Sequence, residues 1–314
     1  MLDYKIHITP DDYIHELEEK DCKDYLFIAP VGETLNNEMS DVYYQENAFV
    51  PYHEHSKGYE TFSIDRGSVE VTINGKRSVA EAGDLIHIEP YMSHGFRFLE
   101  EGTIWRELFL GMDMYGGILE KQLIDRSYPE KLKDDAFMAG YRLKHHTKRL
   151  GEPEPEVVQK EGMPQIRPKG KGIACFAFDG IVCSQKVGRH ETGGAKEIWE
   201  FAMDKGVCVE WDAPHPDWDL YVVKEGRVEV SVLGETFTAN ARDILHVPPY
   251  TSYSMKILDD RTVLHAYNVK ALGLRLAEIV EKKLEAGPDL AGHWDEVKDI
   301  FRQNKSCITK ISRV

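Results

Sequence analysis

Along much of the chain hydrophobic and polar residues alternate one by one, the period of a half-buried β-strand rather than of a helix. SVEVTI at 68–73 is the clearest run, and the Asn74-Gly75 pair that follows is a strong tight-turn signal before KRSVAEAGDLIHI. Short runs of this kind, parted by Gly, Pro or Asn turns, predict a mainly β fold closed as a sandwich or barrel. Segments 115–124 and 129–148, and later 271–286 and 293–303, read as helices. The pattern also occurs twice. GSVEVTING at 67–75 returns as GRVEVSVLG at 226–234, and the same offset of 159 carries Asp84, His87, Pro90, Tyr91 and Ser93 onto Asp243, His246, Pro249, Tyr250 and Ser252. ILEKQL at 118–123 returns as IVEKKL at 279–284. Several matches in the same order point to a tandem duplication. Residues 151–172, rich in Pro, Gly and charge, read as a linker or strap. The expected domains are 1–155 and 156–314, each a β unit trailed by short helices.

Composition narrows the partners. With 54 acidic against 39 basic residues the formal charge is −15, which repels phosphate backbones and anionic lipid. Neither nucleic acid nor a membrane is an expected partner. No apolar run reaches the length of a membrane span, and the N-terminal stretch lacks the layout of a signal peptide. The 5 cysteines form no C-x-x-C, so free thiols in a reducing cytoplasm are expected.

Candidate chemistry gathers in PYHEHSKGYE at 51–60. Alternate residues on a strand share a face, which puts His53 and His55 side by side, and the Ser56-Lys57-Gly58 turn returns Glu60 on a neighbouring strand. His94, just beyond the next strand, is the fourth candidate. Three imidazoles and a carboxylate suit one divalent transition metal with positions left open for substrate. By strand parity Phe49 shares the face of His53, and Phe62 lies on the Glu60 strand, so both are candidates for a pocket wall. Arg106 is a third. On so acidic a chain an ordinary surface ion pair is its first reading, and a two-pronged grip on a substrate carboxylate its second. No residue is assigned a catalytic role.

These residues resemble the cupin superfamily, and their duplication resembles a bicupin. The family's first motif runs Gly, five residues, His-x-His, three or four residues, Glu, six residues, Gly. Here it reads Asn47, His53, His55, Glu60 and Gly67. In the second motif Gly83, Pro90 and His94 match, while Tyr91, Phe98 and a one-residue shift of the proline depart from the pattern. The resemblance implies two tandem antiparallel jelly-roll barrels with His53, His55, Glu60 and His94 as inward metal ligands in the first. In the second copy Asp219 stands where Glu60 stood, Tyr253 replaces His94 and Arg242 replaces Gly83. An ungapped count puts Asp212 and Pro214 at the two histidine positions, with His215 out of register. That copy is expected to hold no metal and to serve packing or pairing, with a homodimer left open.

Bicupins include dioxygenases, decarboxylases and isomerases, and fold alone does not choose among them. The favoured expectation is a dioxygenase-type oxidoreductase using Fe(II) on a small chelating diketone, diphenol or oxo acid. Mn, Zn and Ni are the other candidate ions. The alternatives are a redox-neutral isomerase or decarboxylase acting on a sugar or oxo acid, and a binding cupin that turns nothing over.

Overall fold

The computed structural model describes residues 5–29, 37–178, 180–211, 218–268 and 308–313. The helices expected at 271–286 and 293–303 lie outside the described residues, as do Asp212, Pro214 and His215. The chain forms two compact units, Tyr13–Lys169 and Met1–Asp12 with Gly170–Val314.

In the first unit two antiparallel sheets enclose one core. One sheet runs 166–167, 85–88, 59–66, 103–110, 37–44, 22–28, 15–18. The other runs 147–149, 49–55, 94–98, 68–73, 76–81, 156–157, where only the last pairing is parallel. Val69, Val71, Ile73, Phe96 and Phe98 from the second sheet pack with Val42, Phe62, Ile64 and Trp105 from the first. The strict alternation of Ser68–Ile73, buried at every second residue, is the period-two signal of the sequence made physical. Asn74 (φ +49°) and Gly75 (φ +75°) form the expected tight turn, both left-handed.

Helices follow at Met114–Ser127 and Asp135–Lys144, with a 3-10 turn at Pro129–Lys133 between them. Asp134 caps the second helix by accepting from the Ala136 and Phe137 amides. The expected helix over 129–148 therefore ends early. His146 turns the chain at φ +56°, and Thr147–Arg149 becomes a strand paired with His53–His55. The strap stays with the first unit as far as Lys169. Glu156–Val157 joins the sheet edge, Ile166–Arg167 pairs with Leu85–Ile86, and Met163 and Ile166 enter the core.

The second unit repeats this order except that, among the described residues, no strand takes the place of Glu156–Val157. One sheet runs 7–8, 244–247, 219–225, 262–268, 197–203, 181–187, 174–178, and the other 235–240, 227–232, 253–257, 207–211, 308–313. One device recurs in both. Gly67 (φ +86°) and Gly226 (φ +78°) each turn the chain against a threonine, Thr103 or Thr262, whose hydroxyl donates to the carbonyl of Glu100 or Asp259 at 2.8 Å. A Cβ at either glycine would overlap that threonine side chain. Among the described residues no helix is long and apolar enough to cross a membrane.

Candidate metal centre

Three strands of the first unit supply the four expected donors. Phe49–His55 carries His53 and His55, Tyr59–Arg66 carries Glu60, and His94–Phe98 carries His94. His94 pairs directly with His53 across the sheet. The Ser56–Gly58 turn, closed by Gly58 at φ +84°, brings Glu60 back beside them. A Cβ on Gly58 would lie 2.7 Å from Met112 Sδ, so this position needs glycine on two counts. One ligand atom from each of the four residues lies within 4.8 Å of the others.

The orientation of the rings is more telling than their proximity. His53 Nε2 and His55 Nε2 are 2.9 Å apart, and His55 Nε2 is 3.3 Å from Glu60 Oε1. His94 Nε2 is 2.9 Å from Glu60 Oε2, yet neither atom is aligned for a hydrogen bond. The opposite nitrogens face outward. His53 Nδ1 donates to the Pro51 carbonyl (2.7 Å) and His94 Nδ1 to the Met92 carbonyl (2.8 Å). His55 Nδ1 donates to Thr147 Oγ1 (3.1 Å), whose own proton goes to the His145 carbonyl. A carbonyl can only accept, so the network places the ring proton on Nδ1 and leaves each Nε2 a lone pair aimed inward. Three lone pairs and a carboxylate pointed at one spot repel one another unless positive charge lies between them. This donor set fits a divalent cation.

The electrostatics agree. Burial and then the neighbouring His94 push His53 down to about 3, so that ring stays neutral. Burial also disfavours charge on His55, but the Glu60 carboxylate outweighs it and moves His55 up. Burial would raise Glu60, but His55 and His94 hold it well below the carboxylate range. The cluster is thus built around an ionised carboxylate that demands a positive partner.

Comparison with known proteins places this geometry. Residues 40–104, which contain all four donors, match the Cupin domain family. The matched segment lies within the first barrel. The fold of the chain resembles that of the bicupins. A Lactobacillus farciminis oxalate decarboxylase, solved as a formate complex, superimposes with a TM-score of 0.56 at 14% identity, over 91% of this chain and 95% of that one. A Bacillus subtilis oxalate decarboxylase mutant gives 0.53 at 15% identity, over 85% and 77%. Another Bacillus subtilis structure, described for its Mn(II) centres, gives 0.52 at 15%, over 99% and 89%. No curated protein matches by sequence.

Backbone angles account for two departures from the cupin motif. Asn47 (φ +64°) and Tyr91 (φ +66°) adopt the left-handed conformation of the glycines they replace. In the second copy Arg242 (φ +78°) does the same for the place Gly83 takes at φ +93°.

The three pocket candidates fare differently. Phe62 faces inward but is packed shut, stacked on Trp105 at 4.3 Å and edge-on to Phe96 at 5.2 Å, so it forms core beneath the site. Phe49 does not share the face of His53. A bulge puts three residue steps between His53 and Val50 where His94 and Phe96 span two. Parity therefore flips, Val50 joins the core, and Phe49 is left 47% exposed beneath the Arg97 guanidinium. Arg106 also points away from the centre. Its neighbours Trp105 and Glu107 take the inward positions, while Arg106 grips Asp41 by two bonds (Nε to Oδ1, 2.6 Å; Nη2 to Oδ2, 2.9 Å) and lies over Phe27. The pair is buried, not the surface bridge first expected, and the two-pronged grip goes to a protein carboxylate.

In the second barrel Tyr253 pairs with Trp211 as His94 pairs with His53, so the first histidine position is held by Trp211, one residue before the ungapped count. Trp211 stacks on Tyr253 at 4.7 Å. The Tyr253 hydroxyl donates to Asp219 Oδ2 at 2.6 Å and meets the Tyr221 hydroxyl at 2.8 Å. Among the described residues only the first barrel gathers a metal-type set. His87 bonds Thr61, and His246 stacks with Trp218, consistent with the structural roles that their duplication suggests.

Proposed function

We propose that this chain is a metal-dependent decarboxylase of a small oxo or dicarboxylic acid, acting in its first barrel. The observation that carries the reading is the inward convergence of three Nε2 lone pairs and the Glu60 carboxylate, with every ring proton committed outward. His53, His55, Glu60 and His94 would hold a divalent ion, which would supply Lewis acidity toward a chelating substrate oxygen. Neutral imidazoles and one carboxylate leave such a centre an excess positive charge, which draws an anionic chelate. Arg106 is turned away, so the centre does not rely on it for that attraction. Phe62, Phe96, Trp105 and Phe109 belong to the apolar core of the first barrel, with the Phe96 ring 5.6 Å from that of His94, which keeps that side of the centre dry. In the reaction the bond between the carboxyl carbon and its neighbour breaks, CO2 leaves, and the remaining carbon takes up one proton. The likeness to oxalate decarboxylases supports this class over the dioxygenase expected from sequence, and makes Mn(II) the ion to test first, ahead of Fe(II).

The test is to load the protein with Mn(II) or Fe(II), supply oxalate, a 2-oxo acid and a β-diketone, and follow CO2 and O2 together. CO2 release without net O2 consumption is expected. Net O2 uptake matching substrate loss would return the dioxygenase reading, for which the same donor set is suited when it holds Fe(II). Fully metal-loaded protein that turns over none of them would leave a binding cupin.

A further inference from the structure

A cavity of about 360 Å³ lies in the first unit between the two helices and the turn that follows His55. Its chemistry runs against the rest of the chain. On a protein of net charge −15 it is lined by Lys57, Lys121, Arg142 and Lys144, together with His145 and His146. The opposing carboxylates are few and occupied. Asp113 accepts from the Gly116 amide at the helix start, and Glu120 takes Lys144 at 2.6 Å and His145 at 2.7 Å. Among the described residues the side chains of Lys57, Lys121 and Arg142 form no ion pair or hydrogen bond. Three cations left unpaired around one concavity, with abundant acid elsewhere in the chain, are a recognition feature for an anion.

The walls are built rather than accidental. The Tyr141 hydroxyl donates to the Gly117 carbonyl, and Lys144 and His145 both clasp Glu120, so the two helices are fastened together around the space. Met112, Met114, Ile118 and Tyr141 add an apolar side. A volume of this size is within the lower range of small-molecule sites. We infer that this cavity binds a small organic anion, its carboxylate or phosphate head held by Lys57, Lys121 and Arg142 and its apolar body against Met114, Ile118 and Tyr141. Thr147 lines the same cavity and accepts from His55 Nδ1, so the occupant sits one hydrogen bond from the candidate metal centre. The inference does not depend on the reaction proposed for that centre.

Calorimetric titration with benzoate, phenyl phosphate and inorganic phosphate tests it, on protein as purified and after metal removal by chelation. One-to-one binding of benzoate or phenyl phosphate, at least tenfold tighter than inorganic phosphate and persisting without metal, is expected. Which of the two organic probes binds identifies the head group. The combined variant Lys57→Ala, Lys121→Gln, Arg142→Gln should weaken that binding at least tenfold while its circular dichroism and melt match the wild type, and Lys121→Arg should keep the binding. Binding that vanishes on chelation belongs to the metal centre and overturns the inference. So does binding unchanged in the combined variant, equal affinity for inorganic phosphate, or no binding of any probe.

Discussion

Four side chains define the centre, and each does a separable job. His94 Nε2 and Glu60 Oε2 are buried without a hydrogen-bond partner, so removing one ligand should empty the site without opening the core. His55→Ala and His94→Ala are expected to lose most bound metal by elemental analysis while keeping a cooperative melt. Tyr253→Phe in the second barrel should leave metal content unchanged; retention of metal in the His55 variant would place the ion elsewhere. These donors were legible because a His-x-His pair on a strand needs no tertiary information to share a face. Phe49 was not, because one extra residue in a bulge reverses parity and no local signal announces it. Arg106 was missed for a related reason, since its residue type says nothing about which sheet face it takes. Residue identity does predict a strain. Tyr91 is 70% exposed and held at φ +66°, where a side chain costs on the order of 1 kcal/mol. Tyr91→Gly should therefore raise the melting temperature by a few degrees, the relieved strain exceeding the freedom glycine adds to the unfolded chain. An unchanged or lower melting temperature would show that Tyr91 is not strained enough to matter.

Between residue and fold, the elements decide how firmly the ligands are aimed. The short strand Thr147–Arg149 was read from sequence as the end of a helix, because RLKHHTKR carries no alternation. Its pairing with His53–His55 comes from the helix pair returning the chain to the sheet edge, which only tertiary structure reveals. That pairing puts Thr147 Oγ1 against His55 Nδ1, with the threonine proton directed to the His145 carbonyl. Thr147 is thus a positioning residue. Thr147→Val keeps the shape, removes the acceptor, and leaves His55 free to rotate or to change tautomer. Metal affinity, measured by competition with a chromogenic chelator, should fall roughly 10–100-fold, the usual cost of removing such a partner. Thr147→Ser should restore most of it. Equal affinity in wild type and the valine variant would mean that packing alone orients the ring.

At the scale of the whole molecule, duplication was the most legible feature, because each copy repeats its turns and strands at a fixed offset. The two copies nonetheless spend their buried polar groups differently. The second barrel pairs Glu200 with Lys186 and His265 at 3.1 Å each, which holds Glu200 down at about 2. The first pairs Asp41 with Arg106 but also buries Asp24 and Glu38 beside other carboxyls. Burial, reinforced by Asp113, raises Glu38 to about 8, although it accepts from the Tyr115 amide, and burial with help from Asp41 raises Asp24 to about 7. A carboxyl whose folded pKa exceeds its unfolded value gives its full stabilisation only below the unfolded value, near about 4, and loses it as pH rises through the folded value. The loss for these two groups therefore runs from about pH 4 to about pH 8. The melting temperature should fall between pH 5 and pH 8, beyond what the growing negative charge of the chain produces. Glu38→Gln retains a side-chain oxygen for the Tyr115 amide but has no proton to lose, so its melting temperature should fall less over the same interval. Glu130→Gln, on an exposed helical turn, removes one charge of the same sign and should track the wild type. If Glu38→Gln and Glu130→Gln fall in parallel, the alkaline loss is general repulsion, and the buried acid of the first barrel is not its source.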